Sequence, residues 1–497
     1  MGGMKDLRLW GILLIGLALR ALLFSAAIRD EDRAFTADSR DYWDLSREVF
    51  DGRYVSDRWV LRQPEIFRTP GYPAFLTLGR HIPWRPGRAI SSWRASLAIQ
   101  VFLDLHLILV TFALGRELAG HRAGLWAALL FAVSPLAVGA SCRLLSDSVF
   151  AFLLTTALWA FAVHLKRTDW RSLLATGALL GLACYVRPIG LAMTAVFALV
   201  LLSQPRRLRR AGALLGVVGA LVGPWVVRNA VVADYVGFSS FAGESLYWYS
   251  AAEVLAARDP NVPTAETARR RLECHEVGIP RVRGSAPAGK GAFLESFLSR
   301  DPNDPPPRSL AVGDLARYRR RLAWKILSAH PWTYAGIHLK GCLAFWLPGA
   351  TDVLEVAGYT AGSKGTLGVL HEKGLAAAVR HYFGGNTAAM AMAAAMSVLL
   401  LIRYLGVLLC VVRRFRFRLP ATAWLGLGLV AVSFLLPGPA GHPRFRVPVV
   451  PLLSVAAAMG WMGLFRGREA RKASAGLGPE PVDTAPRGED EAPAGSD

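Results

Sequence analysis

The residues best suited to chemistry are two carboxylates, Asp38 and Asp41, in the stretch Phe35-Thr36-Ala37-Asp38-Ser39-Arg40-Asp41-Tyr42, which directly follows the first apolar run. A carboxylate at a membrane surface can accept a proton from an acceptor hydroxyl. The same residues have a structural reading, with Asp38 as N-cap and Asp41 three residues on as the partner in a capping box. Tyr42, Leu45, Val49 and Phe50 recur at i, i+3, i+7 and i+8, and Gly52 supplies a stop, so the stretch reads as an acidic turn opening into an amphipathic helix.

The elements that must position this loop are membrane spans. In 497 residues, 53% are hydrophobic and mean hydropathy is +0.34, and several runs reach the roughly 20 residues that cross a bilayer. The net charge of +21 comes in short Lys and Arg clusters between apolar runs and forms no continuous basic face, which excludes nucleic acid as a partner. Five scattered cysteines have neither disulfide nor zinc-site spacing. The sequence predicts an all-α polytopic membrane protein with about 10–11 transmembrane helices, external juxtamembrane helices and one longer external loop.

Spans are expected at residues 9–28, 92–114, 124–139, 149–165, 172–185, 189–203, 211–227, 388–411, 421–436 and 449–464. The first is read as an uncleaved anchor, and Arg20 inside it must face other helices or snorkel outward. Basic links around Arg116, Lys166 and Arg206–Arg210 mark the cytoplasmic side. Four parts follow: an N-terminal transmembrane module (1–229) with the catalytic first external loop (29–90), an external loop or small domain (230–330), a C-terminal transmembrane module (331–464) and a disordered cytoplasmic tail (465–497). Within the third part, 331–348 is apolar but short, so a re-entrant or interfacial course is expected. Residues 259–307 look loop-like, and 315–327 have the period of a helix lying on the membrane surface.

Rigid turns carry further polar groups to the same side. Phe67-Arg68-Thr69-Pro70-Gly71-Tyr72-Pro73 brackets a glycine with prolines, holding Arg68 and Tyr72, with Gly71 expected to supply a positive φ. The structural reading of that turn is a launch point for a short helix. Gly441-His442-Pro443-Arg444-Phe445-Arg446-Val447-Pro448 is expected to run extended, which would point Arg444 and Arg446 the same way as an anion clamp. Asp147, Arg187 and Arg228 lie at the ends of other spans. External arginines beside carboxylates run against the orientation bias of membrane proteins and suit a bound phosphate, although each alone could be a headgroup snorkel.

The order of these motifs, with Leu144-Leu145-Ser146-Asp147, Arg187-Pro188 and Pro224-Trp225 followed by Arg228-Asn229, resembles the GT-C class of membrane glycosyltransferases. The similarity is to the branch containing protein O-mannosyltransferases and lipid A aminoarabinose transferases, up to about residue 464. The chain has Asp38-Ser39 where many relatives have Asp-Glu, which leaves Asp38 and Asp41 as alternatives for the base. The resemblance implies transfer of a sugar from a polyprenyl-phosphate donor to a lipid, protein or polysaccharide acceptor at the external face of the cytoplasmic membrane, with inversion. It implies Asp38, Asp41 and Asp147 as catalytic residues. It also implies Arg187, Arg228, His442, Arg444 and Arg446 toward the donor phosphate, and Tyr42, Arg68 and Tyr72 positioning substrate. No cofactor is required by the pattern, and a divalent metal is left open. The alternatives are a transporter or flippase of a lipid-linked sugar and a non-catalytic lipid-binding subunit; against the transporter, no inverted repeat is visible.

The charge clusters predict that Cys274 faces outward. A membrane-impermeant thiol reagent added to intact cells should label it, and labelling only after lysis would reverse the assigned orientation.

Overall fold

A computed structural model describes residues 7–56, 62–80, 83–85, 88–91, 93–277, 297–298, 306–359, 362, 366–414 and 420–476. The last helix, Val450–Gly476, runs through the first residues of the expected disordered tail (465–497), and the rest of that tail and most of 278–305 lie outside the described residues. Helices dominate, and the strands described are two short antiparallel pairs, Val55–Ser56 with Gln63–Pro64 and Pro83–Arg85 with Arg88–Ser91. Among the described residues, six helices are long and apolar enough to cross a membrane: Leu7–Ala27, Trp93–Ala119, Asp147–Arg167, Arg207–Ala233, Thr387–Arg413 and Pro443–Leu464. His121–Ala132 and Pro135–Ser141 pass the same test only as a pair, broken by a 61° bend, as a broken span or a re-entrant loop would be, and Trp170–Val186, Gly190–Leu202 and Ala421–Leu435 are shorter apolar helices. This is a multi-pass membrane protein.

The bundle closes on itself. The Trp93–Ala119 helix packs against both His121–Ala132 and Asp147–Arg167, and Trp170–Val186 links Asp147–Arg167 to Arg207–Ala233. The last helix, Val450–Gly476, packs on Thr387–Arg414 and returns to His121–Ala132, so the two ends of the chain share one core. Between Arg207–Ala233 and Thr387–Arg414, helices at Ala252–Arg258, Ala265–Val277 and Val312–Ala329 bury a separate apolar cluster that includes Tyr247, Leu255, Leu272 and Ile326. Arg319, 3% exposed, donates to both Glu244 and Glu276 inside it. The helix at Ala265–Val277 corrects that part of the loop-like reading of 259–307, because its apolar positions, Ala268 and Leu272 among them, are few but buried in this cluster, where the helix packs against Ala252–Arg258. Pro331–Leu343 is a helix of 13 residues ending in a 3-10 turn at Ala344–Trp346.

Two local expectations change. The Ala37–Phe50 helix is capped by Thr36, which forms the capping box with Ser39; Asp38 lies in the first turn and is not the cap. A Thr hydroxyl one residue before the first helical residue fills the cap geometry, and the Asp38 carboxylate is thereby released for other partners. The segment Pro443–Val449 is a 3-10 helix, not an extended strand. Pro443 occupies its first turn, where a missing N–H costs nothing, and the His442 side chain accepts from Arg444 N at 3.2 Å as its cap. Residues two apart in a three-residue turn point about 120° apart, so Arg444 and Arg446 diverge.

The break before Pro135 frees backbone carbonyls that buried arginines satisfy. Arg20 donates to Ala132 O at 3.1 Å and Arg403 to Leu130 O at 2.6 Å. Arg20 faces other helices, as one of the two courses read from the sequence required. It is fully buried and paired with Asp104, with Nε to Oδ2 at 2.7 Å. Asp104→Leu leaves Arg20 without its counter-charge and should destabilise the fold by about 3–5 kcal/mol. Adding Arg20→Met should recover most of that loss in thermal unfolding, and a neutral single variant would show that the pair carries no structural charge balance.

Candidate active site

The site forms where the first loop, the broken helix pair and the last helix meet. Arg68 comes from the turn before the Gly71–Arg80 helix, and its NH2 donates to Asp38 Oδ1 at 2.6 Å and to Asp41 Oδ2 at 3.1 Å. Its NH1 donates to the Tyr42 hydroxyl at 3.3 Å, and the guanidinium lies 4.7 Å over the Tyr42 ring. On the opposite side of Asp38, Arg444 NH2 donates to Oδ2 at 2.7 Å. Burial by itself raises the Asp38 carboxyl, but Arg68 and Arg444 outweigh it and hold the group well below the usual carboxylate range. Asp38 is therefore a carboxylate at neutral pH, and both of its oxygens are bonded to a guanidinium.

A second pair lies alongside. Arg187 ends the Trp170–Val186 helix and is bonded to Asp147, which opens the Asp147–Arg167 helix. The Phe445 ring joins the pairs, with Arg187 5.6 Å and Arg444 5.5 Å from its centroid. The charge of Asp147 also acts on Arg444 and His442. His442 Nδ1 accepts from the Arg444 amide, which places the proton of a neutral ring on Nε2. His442 Nδ1 lies 3.8 Å from Asp352, whose other oxygen accepts from Arg143 at 3.1 Å.

Several groups hold the turn that presents Arg68. Glu65, 1% exposed, accepts from Arg68 N at 2.8 Å; Tyr54 donates to Arg68 O at 3.0 Å; Ser239 donates to Phe67 O at 2.6 Å. Arg228 donates to Glu65 O at 2.7 Å and Tyr54 O at 2.8 Å, so the structure places it behind the turn and not in the Asp38 cluster. Tyr72 is fully buried against Tyr42 and donates to Gln100 at 2.7 Å; Gln100 in turn donates to Arg143 O at 2.6 Å, steadying the approach to Asp147. Burial keeps the Tyr72 phenol well above its ordinary pKa, with Tyr42 and Asp147 adding to the rise. Gly71 has no positive φ, contrary to expectation. It begins a helix, and a Cβ there would overlap the Tyr185 carbonyl, so its role is to let the turn approach the end that carries Arg187.

Thus the structure brings together Asp38, Asp41, Tyr42, Arg68 and Arg444, with Asp147, Arg187 and His442 beside them. Arg446 points elsewhere, bonding to Leu347 O at 2.9 Å and the Tyr404 hydroxyl at 2.7 Å. Sequence reasoning missed Glu65, Gln100, Arg143 and Asp352. Gln100 and Asp104 carried a readable signal, since polar side chains within an apolar span need partners. Among the described residues no group of three or more His, Cys, Asp or Glu is placed to hold a metal ion. Asp38 and Asp41 share the Arg68 guanidinium, whose charge opposes a cation there.

The model of the dolichyl-phosphate-mannose-protein mannosyltransferase family matches residues 70–227. No curated protein matches the chain. Among solved structures, the Archaeoglobus fulgidus oligosaccharyltransferase tethered to an acceptor peptide containing the NVT sequon is 16% identical, with a TM-score of 0.50 over 95% of this chain and 51% of that one. The same enzyme with Zn and sulfate gives 16% and 0.49, over 95% of this chain and 50% of that one. ArnT from Cupriavidus metallidurans bound to undecaprenyl phosphate gives 16% and 0.39, over 94% and 80%. The chain spans about half the length of the archaeal enzyme, and at this identity the likeness concerns the fold. Residues 70–227 thus match a mannosyltransferase family model, and the chain shares the polytopic helical membrane fold of the archaeal enzyme.

Proposed function

We propose that the chain transfers a sugar from a polyprenyl-phosphate carrier to an acceptor hydroxyl, at the external face of the cytoplasmic membrane and with inversion. The observation that carries this reading is the Asp38 carboxylate held between Arg68 and Arg444. Asp38 takes the proton of the acceptor hydroxyl as its oxygen attacks the anomeric carbon, the bond from that carbon to the phosphate oxygen breaks, and the lipid phosphate leaves with the electron pair. A single in-line displacement inverts the anomeric centre. The acceptor is a lipid, protein or polysaccharide hydroxyl, and Asp147 with Arg187 borders the space it occupies.

The arginine clamp makes Asp38 a weak base while the site holds no substrate. A donor phosphate competes for the same guanidiniums, and when Arg444 turns to the phosphate the Asp38 pKa rises toward the ordinary carboxylate range. Arg444 then stabilises the departing phosphate as Asp38 accepts the proton, which couples base strength to donor binding.

This coupling sets a pH signature. A depressed carboxylate pKa keeps the base ionised until the pH falls through it, so the acid limb of kcat/KM, which reports free enzyme, should lie at lower pH than the acid limb of kcat, which reports the bound complex. Coincident limbs would break the coupling. Asp38→Asn should lower turnover by about 10²–10⁴-fold; Thr36 still caps the helix and Asp41 still balances Arg68, and thermal unfolding of the variant separates lost chemistry from a lost Arg444 contact. Thr36→Ala should instead cost about 1 kcal/mol of stability. Turnover is read as polyprenyl phosphate released in detergent without a membrane gradient, which a flippase does not produce. Full activity in both Asp38→Asn and Asp41→Asn would remove this loop from the chemistry.

A further inference from the structure

Among the described residues, Arg403 and Arg446 are buried cations without a carboxylate partner. They are 3% and 1% exposed, and both lie in helices long and apolar enough to span the membrane. Arg446 donates to Phe345 O, Leu347 O and Tyr404, and Arg403 to Leu130 O, all neutral acceptors. The Nε of each has no hydrogen-bond partner, and among the described residues neither is ion-paired with a carboxylate. Arginine does not deprotonate in proteins, so two guanidinium charges within one apolar bundle leave a positive potential that carbonyl dipoles only partly offset. Intramembrane cations of this kind are expected to mark a ligand.

The space next to them indicates its shape. Tyr404, bonded to Arg446, also lines an apolar cavity of about 1260 Å³ together with Trp346, Leu401, Leu405, Leu408 and Leu452. Its walls also include Lys166 and Gln204, with many residues from the Thr387–Arg414 and Ala421–Leu435 helices. The arginines do not themselves line the cavity, so Tyr404, which lines it and bonds Arg446, is the link between an anion at the guanidiniums and a hydrocarbon tail in the cavity.

We propose that Arg403, Arg446 and Tyr404 form a second lipid-phosphate site, separate from the Asp38 cluster, holding the phosphate monoester of an isoprenoid lipid whose chain lies in the Trp346–Leu452 cavity. The proposal rests on the reading of this chain as a user of polyprenyl-phosphate carriers. Arg444 and Arg446 diverge from one 3-10 turn, so one short segment borders both the reacting carboxylate and this second phosphate. The site gives the carrier a place to rest that does not occupy the arginines beside Asp38.

The test is binding of farnesyl phosphate to the purified full-length protein in detergent, with farnesol, inorganic phosphate and phosphatidylglycerol as parallel probes. Farnesyl phosphate is expected to bind more tightly than any of the three. Arg403→Gln and Arg446→Gln are each expected to weaken it by about tenfold to a hundredfold, the range for a lost charged hydrogen bond. Arg403→Lys and Arg446→Lys keep the charge without the fork, so they guard against misfolding and should show a smaller loss. Arg444→Gln tests the neighbouring cluster: loss of binding there, with binding intact in folded Arg403 and Arg446 variants, overturns the second site. Equal binding of farnesol overturns the anion requirement, and equal binding of phosphatidylglycerol or inorganic phosphate overturns the isoprenoid assignment. Loss of binding in the Arg403 and Arg446 variants, combined with full turnover by Asp38→Asn, would keep this site while removing the proposed chemistry.

Discussion

A carboxylate between two guanidiniums is the interaction on which the rest of this molecule depends. Arg68 reaches Asp38 from 30 residues away and Arg444 from 406 residues away, so one side chain joins the first loop to the last helix. The charges are partly buried, which strengthens their attraction but also requires that every partner be well placed. Much of the surrounding structure meets that demand. Glu65, Tyr54, Ser239 and Arg228 hold the Arg68 backbone, and the 3-10 turn capped by His442 sets the direction of Arg444.

Within the membrane the same rule acts on the backbone. A proline between two half-helices leaves carbonyls that lipid cannot satisfy, and the protein answers with guanidiniums from the first helix and from Thr387–Arg414. The two cases differ in charge balance: Arg20 has Asp104, whereas Arg403 has a second arginine as its neighbour. Hydrogen-bond geometry alone would not separate them.

Much of this was legible in the sequence. Apolar run lengths located the spans, and carboxylates, arginines and proline turns at span ends pointed to Asp38, Asp41, Arg68, Asp147, Arg187 and Arg444, which the structure collects. What was not legible is which way each side chain turns. Pro443 and Pro448 are compatible with an extended chain and with a 3-10 turn, and only the latter sends Arg444 and Arg446 apart. Thr36 and Asp38 are both good caps by residue type; the phase of the helix decides between them. Arg228 and Tyr72 have their partners in Tyr54, Glu65 and Gln100, residues distant in the chain with no shared periodicity to announce the contact. The Ala265–Val277 helix escaped notice because it buries few residues and carries many charges.

The distance in sequence between Asp38 and Arg444 also has a temporal meaning. A chain made at about 5–20 residues per second leaves Asp38 on the order of 20–80 s old before Arg444 is synthesised. During that interval the first loop carries its carboxylates with Arg68 alone as their guanidinium partner from this cluster, and the enclosure around Asp38 is open. The centre around Asp38 therefore closes only once the Pro443–Val449 segment has been made.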